Sequence, residues 1–400
     1  MASRYFAYLI IWFAFFSIES AHQVPRPIMP HTNPVRSATL TAVFAATVCL
    51  FGANPCRAFA EELNVYNWSD NIADDTVPGF EKQTGIHTRY DVYDGDETLQ
   101  AKLLAGSSGY DVVVPSSGYA AKQIQAGVYQ KLDKSRIPNL SNLDPVLMKM
   151  LASADPGNQY TVPWSWGTDG LGMNATKVAE VLGKDAPLDS WELLFNPQYV
   201  SKLKGCGVSV LDSPEDTFAV GLVYLHKDPN STNPADYQAV YQLYRTIRPY
   251  ITQFNSSGYI NDLANNDVCL ALAWSGDVAI AKERAEEAHR SYEIRYSIPS
   301  GPGILWFDLM AVPKDAPHSE AAMQWINYIL QPKVSADITN QVFYPNANAV
   351  ARPLIKPAIL ENAAIYPAPD RLKSLTLQAP LPAEIMRLEN RLWAQLKAGR

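Results

Sequence analysis

Three tryptophans in this 400-residue chain each stand two or three positions before an aspartate: Trp68-Ser69-Asp70, Trp274-Ser275-Gly276-Asp277 and Trp306-Phe307-Asp308. Aromatic faces attract cations, and carboxylates pair with ammonium groups. Three such pairs brought together would form a box for a slender organic polycation. Singly each is weak, because an Asp after a strand commonly caps a helix and a buried Trp commonly belongs to the core. Their coincidence is what favours the cation. Other chemistries lack their signatures: there is no GxGxxG or Walker loop, no HExxH and no GxSxG. Past residue 60 the histidines are His87, His226, His289 and His318, none in a recognisable pair. Hydrolytic triads and glycosidase carboxylate pairs are defined in space, and nothing here points to either.

The elements that must position these residues read as alternating strands and helices. Residues 62–68, 86–92 and 110–115 read as strands. Helical spacing over 75–85, 97–105 and 120–126 separates and follows them. The alternation returns with strands at 206–211, 268–274, 292–298 and 305–312, and helices at 179–182, 216–225, 277–288, 320–330 and 382–396. Strand–helix alternation of this kind predicts an α/β chain with mostly parallel sheets flanked by helices. The three Asp residues then fall at or near strand ends, and in open α/β sheets ligands bind beyond the carboxyl ends of strands.

The chain is 47% hydrophobic and 18% charged, enough for two domains with their own cores and unlike disordered or collagen-like sequence. Residues 1–60 read as a leader. Its apolar run 5–18 is short for a membrane span, and a second export pattern begins at Met29. Ala58-Phe59-Ala60 is a small-x-small cleavage pattern, so the mature chain is expected to begin at Glu61. Residues 1–28 are then upstream translation, and a composite signal anchor is the alternative. Beyond the leader stand 29 Lys and Arg against 39 Asp and Glu, a net of −10. Such a chain is a poor nucleic-acid binder and a reasonable host for cations. Cys206 and Cys269 remain; in an exported protein an isolated pair reads as a disulfide sooner than a metal site, with two buried thiols as the alternative.

At the Trp–Asp segments the sequence resembles the periplasmic polyamine-binding proteins of ABC importers, the putrescine/spermidine-binding family. The resemblance runs through residues 61–400. It is carried by Val65-Tyr-Asn-Trp-Ser-Asp70, Tyr110-Asp-Val-Val-Val-Pro-Ser116, Leu211-Asp-Ser-Pro-Glu-Asp216, Gly258-Tyr-Ile-Asn-Asp-Leu-Ala-Asn265, Ala273-Trp-Ser-Gly-Asp277, Phe307-Asp308 and Val342-Phe-Tyr-Pro-Asn-Ala-Asn348. It implies a two-lobed type II periplasmic-binding-protein fold that closes over its ligand. Trp68 and Trp274 would face the ligand's methylene chain, with Trp306 and Tyr344 completing the aromatic box. Asp277 and Asp308, with Asp70 near them, would hold one ammonium end. Asp216, where the family commonly has Glu, would meet the other with Ser116, and Ser69 would add a contact. The family pattern also pairs Cys206 with Cys269.

The same resemblance places the lobes at 61–163 with 299–346 and at 164–298 with 347–400, crossing near Pro163, Ile298 and Asn346. Three departures bear on the ligand: Asn71 and Trp306 replace residues that are aromatic and Phe in putrescine binders, and Asp216 is a shorter acid. Together they imply more room and a larger aromatic face, hence spermidine in preference to putrescine. The implied protein is a monomeric periplasmic receptor serving an inner-membrane ABC permease, with no cofactor, metal or nucleic acid. A putrescine/spermidine generalist, a sensor acting on a membrane receptor and a polyamine-modifying enzyme are the alternatives, and no motif supports the enzyme.

Overall fold

The computed structural model describes residues 61–399; the leader, its Met29 start and its cleavage site lie outside them. Among the described residues the strands are β1 (Glu62–Trp68), β2 (His87–Tyr93), β3 (Val112–Val113), β4 (Thr161–Asn174), β5 (Val208–Val210), β6 (Gln253–Phe254), β7 (Leu270–Trp274), β8 (Ile294–Ser297), β9 (Gly303–Ala311) and β10 (Leu375–Leu377). They hydrogen-bond in the order β2-β1-β3-β9-β4-β7-β5-β6, with β10 beside β9 and β8 beside β4. The outer pairs are parallel, β1 with β2 and β3, and β5 with β6 and β7. The pairs around β4 are antiparallel.

β4 is the element that sequence reading left as a chain crossing. All 14 of its residues are buried. Its first half, Thr161–Thr168, pairs with β9, and its second half pairs with β7 and β8. A strand covered on both faces shows no polar–apolar alternation. Pro163 and three glycines further depress its β character, and the register shifts between Pro163 and Ser165. Elsewhere most elements stand within a few residues of expectation. The strand expected over 110–115 shortens to Val112–Val113, and helices Pro234–Ile247 and Pro332–Val342 are additional.

Two cores flank β4. One gathers β1, β3 and β9 with helix Ser319–Ile329, around Leu63, Val112, Phe307 and Trp325. The other gathers β5 and β7 with helices Pro214–Tyr224, Pro234–Ile247 and Ala383–Lys397, around Val210, Phe218, Tyr237 and Trp393. Trp274 packs against both. The tail divides, since Leu375–Leu377 extends the sheet beside β9 while Ala383–Lys397 covers the second core. No helix among the described residues is long and apolar enough to cross a membrane.

Cys206 and Cys269 form a disulfide across 63 residues, with Cα atoms 5.5 Å apart. Closing a loop of that length stabilises by about 4 kcal/mol on chain-entropy grounds. A chain beginning at Glu61, unfolded without reductant, is expected to titrate no thiol, and reductant is expected to lower its Tm. Two titratable thiols in the unreduced protein would contradict the bridge.

Candidate functional site

Residues opposite each other on antiparallel strands share a sheet face, and the faces alternate along each strand. Ser165, Gly167 and Asp169 therefore lie on one face of β4. The register sets Asp308 opposite Ser165 and Trp306 opposite Gly167, both on β9, and Trp274 of β7 opposite Asp169. From the parallel side, β1 ends at Trp68, and Ser116 just beyond β3 bridges to Asp308. Asp216 and Asp277 are each the third residue of a helix, Pro214–Tyr224 and Ser275–Glu287. Helix N-termini favour carboxylates there, and the Ser213 hydroxyl caps the first helix by accepting from the Asp216 amide.

These placements bring all ten residues expected from sequence to one cleft. Its aromatic walls meet in sequence: Trp68 against Trp274 at 6.1 Å between centroids, Trp274 against Trp306 at 6.4 Å and Trp306 against Tyr344 at 5.6 Å. Tyr93, paired with Trp68 in register, packs against it with centroids 4.7 Å apart and the rings tilted by 46°. Gly276 lets Tyr344 approach the helix start, because a Cβ there would lie 2.5 Å from the ring.

Neutral donors orient the acids. Asp308 accepts from the Ser165 hydroxyl at 2.9 Å and from Asn71 Nδ2 at 3.1 Å. Asp277 accepts from the Tyr344 and Tyr259 hydroxyls at 2.5 and 2.8 Å. Asp216 accepts from Trp274 Nε1 at 3.2 Å and Gln378 Nε2 at 2.9 Å. Asp70, half-exposed, pairs with Arg284 at 3.4 Å. It sits at φ 52°, a left-handed conformation that Asp tolerates better than most residues. Ser69 donates its hydroxyl to Asp94.

Burial dominates the electrostatics. It pushes the Asp308 carboxyl up to about 7 and that of Asp277 up to about 6, against the opposing pull of their hydrogen bonds. Asp216 is raised for the same reason, and Glu215 beside it reaches about 6. Among the described residues nine carboxylates and no Lys or Arg line the cleft. Several buried polar atoms there have no hydrogen-bond partner, including Trp68 Nε1, Ser116 Oγ and Glu215 Oε1. A cation with spaced ammonium groups satisfies both the charge and the geometry.

Sequence reading missed Tyr93, Asp96, Glu97, Tyr119, Glu215 and Gln378, all of which line the same cleft. Glu215 was signalled by its place beside Asp216 in the first turn of a helix. Asp96 and Glu97 likewise open a helix just after a strand. Tyr119 and Gln378 carried no such signal. Asn71, expected to widen the cleft, is 2% exposed, spends its amide on Asp308 and accepts the Trp164 indole on its backbone oxygen.

Residues 76–367 match the family described as bacterial extracellular solute-binding protein. The chain is 49% identical to the putrescine-binding periplasmic protein SpuD of Pseudomonas aeruginosa, over 84% of this chain and 92% of that one. It is 47% identical to the putrescine-binding periplasmic protein PotF of Escherichia coli, over 90% and 98%. Among solved structures, the spermidine/putrescine ABC-transporter substrate-binding protein PotD of Streptococcus pneumoniae superposes with a TM-score of 0.69 at 26% identity, covering 85% of this chain and 99% of that one. With the two-core sheet, its cleft and these likenesses together, the chain belongs to the bacterial extracellular solute-binding protein family and has the type II periplasmic-binding fold.

Proposed function

We propose that the chain is a periplasmic receptor that captures a polyamine in the cleft between two lobes and delivers it to an ABC permease. The lobes are residues 61–163 with 299–346 and residues 164–298 with 347–400, save that Leu375–Leu377 returns to the first as an added strand beside β9. The observation that carries this reading is the pairing of two acid clusters with an aromatic wall between them. Asp277 and Asp308, with Asp70 beside Asp277, take one ammonium group. Asp216 takes the other, near Glu215, Glu97 and Asp96, whose charges act on one another. Trp68, Trp274, Trp306 and Tyr344 enclose the methylenes, while Ser69 and Ser116 complete the polar contacts. The names of the 47–49% identical relatives support a putrescine-sized ligand. The extra carboxylates near Asp216 and the broad face of Trp306 support a longer one, so spermidine is the preferred ligand and putrescine a weaker one.

Titration calorimetry with both amines tests the assignment. Spermidine is expected to bind more tightly by about 1–2 kcal/mol, the scale of one added cation–π contact. A tighter putrescine isotherm would reverse the preference, and no binding of either would end the reading. Asp308→Asn removes one partner of a desolvated pair, which costs about 2–5 kcal/mol. Affinity should fall by tens-fold or more. The ligand-free variant should melt no lower than the parent, because a buried charge has been removed. An unchanged affinity would take Asp308 out of the site.

The raised carboxyls also set a pH dependence. Binding needs them ionised, so protons compete with the polyamine as pH falls through about 7 and then about 6, the values of Asp308 and Asp277. Between about pH 8 and about pH 5.5 the apparent affinity should drop on the order of a hundredfold, with protons released on binding near neutrality. In the ligand-free protein the sign reverses. Folded values above the unfolded ones make the native state bind more protons, so these groups erode stability as pH rises from about 4 to about 7. A pH-independent affinity over that window would show that the buried acids do not contact the ligand.

A further inference from the structure

Asp169 does not line the cleft, yet two of the cleft's walls meet on it. It is fully buried at the β4 position opposite Trp274. Its Oδ1 accepts from Trp306 Nε1 at 3.0 Å. The same indole crosses β4 over Gly167, where a Cβ would lie 2.4 Å from Cζ2. Glycine therefore provides the floor on which the ring lies, and Asp169 fixes its rotation. No donor reaches the other oxygen, Oδ2. Burial first, and then the neighbouring Asp216 carboxyl, push Asp169 upward and disfavour its ionised form. The ionisable groups acting on Asp169 are acids or phenols: Asp216 and Glu215 from helix Pro214–Tyr224, Tyr244 from helix Pro234–Ile247 and Tyr296 from β8. Asp216, by contrast, receives two donors, Trp274 and Gln378, which favour its ionised form.

We infer that Asp169 is a specificity-determining positioning residue: through Oδ1 it anchors the Trp306 indole in its place over Gly167. One buried carboxyl thereby sets the angle of an aromatic wall. The Trp at position 306 is then more than a larger Phe, since its N–H supplies the donor that Asp169 needs. The inference rests on the polyamine reading of the cleft for its ligand, and on the contacts alone for the coupling of Asp169 to Trp306.

The experiment is calorimetry with putrescine and spermidine on the parent, Asp169→Ala, Asp169→Asn, Trp306→Phe and the double variant Asp169→Ala/Trp306→Phe, with ligand-free thermal melts of each. Asp169→Ala should weaken spermidine by about tenfold and change the spermidine-to-putrescine ratio. Asp169→Asn retains an acceptor for the indole, so it should recover most of that loss. In the Trp306→Phe background, where the acceptor no longer has a partner, Asp169→Ala should cost no more than about twofold. Asparagine as damaging as alanine would show that the charge itself is needed, and additive losses would show no coupling; either overturns the inference. If Asp169→Ala does not fold, the other single variants decide: Asp169→Asn should keep the parent's spermidine-to-putrescine ratio, and a ratio shifted as far as that of Trp306→Phe overturns the inference. A parent that binds neither amine overturns the ligand instead. The melts then decide the coupling, the double variant being expected to lose less than the sum of the singles.

Discussion

The molecule depends on one constraint: β4 is buried along its whole length and belongs to both halves of the sheet. A strand with no solvent on either face must find partners for its N–H and C=O groups among neighbouring strands. β9 supplies them for the first half, and β7 and β8 for the second. The two cores are thus tied through a common backbone, and the cleft opens where partnership passes from one neighbour to the other. The period of two then does the rest. Ser165, Gly167 and Asp169 face the same way, so each reaches a different member of the site: an acid, an indole and, across the strand, a second indole. A one-residue slip of β9 or β7 against β4 would turn Asp308, Trp306 or Trp274 away from the cleft.

The second organising feature is how the acids are held. Asp308, Asp277 and Asp216 are oriented by hydroxyl, amide and indole donors, none of which carries charge. Neutral donors fix direction and lower the cost of ionisation without cancelling the charge. A lysine in their place would make a stable ion pair and leave nothing to attract a cationic ligand. Arg284 stands beside the half-exposed Asp70, where solvent screens the pair and its contribution is small. Position in depth therefore separates the carboxylate that also pairs with the protein from those left wholly to a ligand.

How much of this was legible follows from where each signal is written. The Trp–Asp segments were visible because both members of each pair are close in sequence, and all three pairs do meet at one cleft. The outer βα units were visible because apolar periodicity is local. β4 was not, because burial on both faces erases alternation and its Pro and Gly residues read as punctuation. Asp169 was hidden with it: a lone Asp between Thr168 and Gly170 has the look of a turn residue, and its partner Trp306 lies 137 residues away. Asn71 was visible in part. Its size suggested room, and the structure adds a role that size does not signal, since its amide orients Asp308.

The placement of so much uncompensated acid has a cost that the rest of the chain must carry. Each buried carboxyl with a raised folded value opposes folding once it ionises, and near neutral pH the groups at about 6 and about 7 are largely or partly ionised. Two apolar cores, which reach the cleft at its aromatic walls, and a disulfide closing a 63-residue span supply the offsetting stability. Affinity and stability are therefore largely divided between regions. Away from those walls the interior of each half can be well packed because it need not bind anything, and the strand between them can hold unfavourable charge because packing elsewhere outweighs it. A cation entering the cleft removes part of that cost, so its binding energy includes relief of strain already present in the protein. This is a physical reason for a receptor to keep its acids deep in the cleft: exposed carboxylates would be cheaper for the fold, but solvent and salt would already have satisfied them.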